Sequence, residues 1–108
     1  MSVITENEGR LEMYDTDPEH PQRPMVLIRT LSAPAGVAYH RAHEAWHIAR
    51  EIADRPDRNK AQERAAAVAE HVWRTALAAA EAHGVVREVK GAHPVVEALW
   101  DDGTWQTV

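Results

Sequence analysis

Asn59–His83 reads NKAQERAAAVAEHVWRTALAAAEAH, and this stretch decides the fold. Apolar or small residues recur at Ala61, Ala65, Val68, Ala69, Val72, Ala76, Ala79 and Ala80, the spacing of one face of an α-helix. Charged Glu63, Glu70, Arg74 and Glu81 fall on the other side. Alanine is the best helix former, so propensity and pattern agree. Asn59 or Asp57 can cap the start, and Gly84 is placed to end the helix after His83. Trp73 and Leu77 flank the stripe and supply bulk that alanine lacks.

The preceding segment, Pro34 to Asp54, reads as a second helix. Proline suits a first turn and Ser32 is a candidate cap. Its apolar stripe is Ala38, Ala42, Ala45, Ala49 and Ile52, with Trp46 and Ile48 beside it. Arg55-Pro56-Asp57 interrupts the pattern, because proline disfavours helix in the residue before it. Helices joined by so short a break fold back as an antiparallel αα-hairpin, here stripe against stripe.

Around that hairpin the chain reads as strands. Met25–Leu31 is short, apolar and β-branched, the composition of a buried strand. Val85–Val89, Pro94–Trp100 and Thr104–Val108 follow the helices, with Asp101-Asp102-Gly103 as a hairpin turn flanked by Trp100 and Trp105. The expected fold class is α+β: an antiparallel αα-hairpin on a small, mainly antiparallel sheet, in the order β-α-α-β-β-β. Residues 25–108 form the domain. Residues 1–24 read as an acidic, proline-containing extended leader, within which Arg10–Tyr14 can make a short edge strand. Its three prolines between Asp17 and Pro24 exclude regular helix there.

At 108 residues the chain is one domain. It has four tryptophans and no phenylalanine, so the tryptophans are the expected core anchors. With no cysteine, disulfides and thiolate metal sites are excluded. No apolar run approaches membrane-spanning length and no targeting segment is recognisable, which gives a cytoplasmic expectation by default. The net charge of −5 is uneven: residues 1–24 hold six acids against two bases, net −4, and the remainder carries −1. A near-neutral domain lacks the basic patch that nucleic acid requires.

One stretch carries the residue types of chemistry: His43-Glu44-Ala45-Trp46-His47. A spacing of four puts both imidazoles on one helical face, where both can reach one zinc ion. Glu44 beside them can act as general base on a zinc-bound water. These five residues resemble the active-site helix of the zincin metallopeptidases. The resemblance implies zinc held by His43 and His47, with Glu44 as the catalytic base. Arg50 and Ala53 stand where the longer metzincin pattern has glycine and a third histidine. A third ligand would therefore come from Glu19 or His20, from Glu70 or His71, or from another chain. At 100° per residue, His40, His43, Glu44, His47 and Glu51 cluster opposite the alanine stripe, so this face is expected to point outward.

Three readings follow. The first is a small non-catalytic protein-interaction module, such as an accessory subunit, inhibitor or assembly factor. Its partner would be a protein or a second copy, its contact surface would include His40, Trp46 and Glu51, and it would need no cofactor. The second is a minimal zinc hydrolase using His43, Glu44 and His47. The third is a winged-helix-like DNA binder with residues 94–108 as the wing. The sequence favours the first, without membrane attachment.

Overall fold

A computed structural model describes residues 2–108. Its elements are β1 (Val3–Asn7), β2 (Arg10–Asp15), β3 (Val26–Leu31), α1 (Pro34–Ala53), α2 (Lys60–Ala82), β4 (Val86–Val89), β5 (Val95–Leu99) and β6 (Trp105–Thr107). The fold is α+β, with two helices and wholly antiparallel strand pairing. The strands make two three-stranded sheets, ordered β1-β2-β3 and β4-β5-β6.

The helix boundaries follow local chemistry. Asn59 accepts from the Gln62 backbone N–H while the Gln62 side chain accepts from the Asn59 N–H, each at 2.9 Å. This reciprocal box is worth about 1 kcal/mol to the start of α2. Gly84, at φ 72°, ends α2 in a conformation that favours glycine. Helix α1 begins differently from expectation. Ala33 holds the cap position without a side-chain cap. Ser32 instead donates its hydroxyl and its backbone N–H to Asp101, at 2.7 and 3.0 Å.

Residues 1–24 are not all an extended leader. β1 and β2 pair in register from Val3↔Tyr14 to Asn7↔Arg10. They turn through Glu8 and Gly9, both at positive φ. Leu11 and Met13 of β2 lie in the core with Leu31, Val37, Tyr39, Ala80, Val86, Ala98 and Trp100. The reason is period two: Leu11 and Met13 share one face of the strand, and burying that face outweighs the acidity of the neighbours. Buried Glu12, on the opposite face, is paired with Arg10 at 3.1 Å. β3 departs the other way. It is an edge strand, and Met25, Val26, Leu27 and Ile28 are exposed rather than buried.

The β5–β6 turn clips the two sheets together. The Asp101 carboxylate accepts from Thr30 and Ser32, and the Asp101 N–H donates to the Thr30 carbonyl at 2.9 Å. Asp102 accepts from Arg29 at 3.2 Å. Burial would raise the Asp101 pKa, but the bonds from Ser32 and Thr30 prevail and hold it below the ordinary carboxylate value. Trp100 does not pair across the turn with Trp105, whose register partner is Leu99. Trp100 is sealed in the core, while Trp105 lies beneath the Arg87 guanidinium, 4.2 Å from its ring centre.

The radius of gyration is 15.8 Å, against roughly 13 Å for a compact chain of about 100 residues. The excess comes from the helical hairpin. Its core contacts are confined to one end: the buried residues of α1 are Gly36, Val37, Tyr39 and Ala42, and α2 buries only Ala80. The far end projects beyond the sheets. No helix among the described residues is long and apolar enough to cross a membrane.

Candidate interaction face

The hairpin closes on aromatic rings, not on the two alanine stripes. Trp46 stacks on Trp73 with ring centres 4.6 Å apart and planes 16° apart. His43 lies among Tyr39, Trp46 and Trp73, with centres 5.9 Å from each. A stacked indole pair contributes about 0.5–1.5 kcal/mol beyond its large buried area, more than an alanine contact can return. Meeting through the tryptophans turns each helix by roughly a quarter turn relative to a stripe-on-stripe arrangement. His43 is therefore half-buried inside the hairpin and does not point outward as expected.

The other site residues separate accordingly. His40 is half-buried at the base, and its Nδ1 is enclosed with no hydrogen-bond partner among the described residues. His47 is exposed and bonded to Glu51 at 3.1 Å. Glu44 is exposed. Burial pushes the His40 pKa down, against the pull of Glu44 and Glu6. Burial likewise pushes His43 down against Glu44, with His40 and His47 reinforcing the drop. Both imidazoles are thereby held neutral at neutral pH.

Among the described residues no third ligand joins His43 and His47. Among the described residues no group of three or more His, Asp or Glu side chains could hold a metal ion. Glu70 is paired with Arg74 at 3.2 Å, His71 is exposed, and Glu19 and His20 lie in the exposed segment before β3. The donor set among the described residues does not fit zinc. The turn within residues 94–108 is bonded through Asp101 to Thr30 and Ser32.

What the rotation exposes is the feature that sequence reasoning missed. The apolar residues left over from closing the hairpin gather on one side of it. Ala45, Ile48, Ala49 and Ile52 of α1 line a groove with Gln62 and Ala65 of α2. Val68 and Val72 continue the Ala65 row along α2. Ile48, Val68 and Val72 are 56, 64 and 51 % exposed. The opposite side is polar: Arg50, Asp54, Glu63 and Glu70 line its groove, and Arg50–Asp54, Arg58–Glu63 and Glu70–Arg74 form ion pairs. The signal was present in the sequence as two tryptophans off the stripe centres, each bulkier than anything on the stripes. Comparison with protein-family models, with curated proteins and with solved structures finds no match.

Proposed function

We propose that this chain is a non-catalytic protein-interaction module that docks through the apolar side of its helical hairpin. The observation that carries the reading is the exposure of Ile48, Val68 and Val72 on one side of a projecting helix pair whose other side is laced with ion pairs. Contiguous apolar surface rimmed by polar residues marks interaction sites. A helix of 23 residues with one buried residue is weakly supported by its own chain, since helices in proteins are stabilised mainly by packing an amphipathic face. A partner on this side supplies the missing contact.

Carbene footprinting tests the reading. Ile48 and Val68 should be labelled in the isolated chain at high dilution and shielded in an extract of the cells that make it. The double variant Ile48→Glu/Val68→Glu should keep the wild-type circular dichroism and lose the shielding. Equal labelling in both settings removes the reading. So does a double variant that unfolds, because the face would then belong to the chain's own core.

A further inference from the structure

We infer that the joint between the two helices is a proton-sensitive latch: in mild acid His40 and His43 take up protons, the Trp46–Trp73 contact opens, and the interaction side loosens while the sheets stay folded. The latch regulates the side described above and rests on that reading.

His40, His43 and His47 follow one another at one-turn intervals along one face of α1. His43 occupies the joint itself, with Tyr39, Trp46 and Trp73 each 5.9 Å from its ring centre. His40 lies one turn nearer the base, its Nδ1 enclosed and without a hydrogen-bond partner among the described residues. A neutral imidazole tolerates this by carrying its proton on Nε2. The imidazolium must carry one on Nδ1 as well, which leaves an enclosed donor with no acceptor.

The charges around the joint are committed elsewhere. Glu6 of β1 faces His40 but holds Arg41. Glu51 holds His47, and Glu70 of α2 holds Arg74. Arg74 also lies over Trp73, 5.4 Å from the ring centre, so that indole already faces one cation. Glu44 acts on both imidazoles from an exposed position. Glu81 of α2 and Glu88 of β4 act on Tyr39. Charge on His43 is opposed by charge on His40 and His47. Opening relieves these costs together, because water then reaches both rings.

The remainder of the fold is held separately. Ala80 pins α2 at the base, and Asp101 joins the sheets through Thr30. Beyond the tryptophan stack neither helix has a buried residue, so that part opens at low cost. Closed, the two imidazoles titrate below the ordinary value; open, they titrate at it. Opening is therefore favoured as pH falls through about 6.5.

Amide hydrogen exchange of the isolated full chain, corrected for its intrinsic pH dependence, tests the latch. Between pH 7.5 and pH 5.5 the protection of residues 44–53 and 61–73 should fall at least about fivefold. Protection of β2 and β5 should hold. The double variant His40→Gln/His43→Gln should keep the wild-type circular dichroism and show no such fall. In the cell extract, shielding of Ile48 and Val68 should be lost at pH 5.5 in the wild type and kept in the double variant. Equal protection at both pH values overturns the latch. So does a fall shared by β2 and β5, or one that persists in the double variant. Where the double variant does not fold, wild-type imidazole resonances decide. His40 and His43 titrating below exposed His71 support the latch, and titration no lower than His71 overturns it. Shielding that survives pH 5.5 in the wild type overturns the regulation. Residues unshielded at both pH values remove the interaction reading, while the exchange result still judges the latch.

Discussion

The two ends of the helical hairpin are built from the same alphabet and held by different means. At the base, Val37, Tyr39 and Ala80 pack into one cluster with Leu11, Leu31, Val86 and Trp100. Towards the tip, the Trp46–Trp73 stack is the last large contact. Beyond it lies the bare apolar side lined by Ile48, Ala49, Ile52, Gln62 and Ala65. Alanine makes a helix easily but holds it to a neighbour weakly. The base therefore belongs to the domain, and the tip is a surface the domain presents.

The largest effect should come from the base. Tyr39→Ala empties a fully buried aromatic site and should cost about 3–5 kcal/mol, read by urea denaturation. A loss below about 1 kcal/mol would mean that base and tip are equally loose. Next is Asp101→Ala, which leaves Thr30 and Ser32 without their acceptor. It should cost about 2 kcal/mol, in the range of hydrogen bonds to charged groups. Because the Asp101 pKa is lowered, its contribution is complete above the ordinary carboxylate value and fades as pH falls through the lower folded one.

Smaller again is the effect of mild acid on the hairpin. His40 and His43 have pKa values below the ordinary one of about 6.5. As pH falls through that value the unfolded chain takes up protons before the folded one, so stability declines until the folded imidazoles also titrate. Denaturation at pH 7.5 and pH 5.5, compared between wild type and His43→Gln, measures this. Imidazole resonances of His43 titrating at the ordinary value would show that its ring is not enclosed by Tyr39, Trp46 and Trp73. The smallest effect is expected at the tip. Val68→Ser should stay within about 0.5 kcal/mol of wild type in the dilute monomer. A cost of several kcal/mol would erase the contrast between the two ends.

What the sequence disclosed and what it withheld divide along the same physical line. The Asn59 cap, offered beside Asp57, the Pro56 break, Gly84 and the Asp101-Asp102-Gly103 turn were legible because each acts on residues within a turn of itself. β1 was not, because its turn places Glu8 rather than a usual asparagine or glycine at positive φ. The rotation of the hairpin was not legible either, since it depends on Trp46 meeting Trp73 across the fold. That one non-local contact turned the His43 face inward and the Ile48 face outward. The helical spacing of His43, Glu44 and His47 could be read from the sequence, but the surroundings that separate them could not. The prolines of residues 18–24 announced an irregular segment; the Arg10–Tyr14 strand before it was legible, but β1, which makes that strand central rather than an edge, was not.

The bond from Thr30 to Asp101 joins positions 71 residues apart. Closing so long a loop from a disordered chain is slow, and most of what lies between is the helical hairpin. Once α1 and α2 have folded back on each other, the ends of that loop are delivered to the same end of a rigid rod pair. The hairpin is thus the spacer that lets two distant stretches of chain meet where the sheets join.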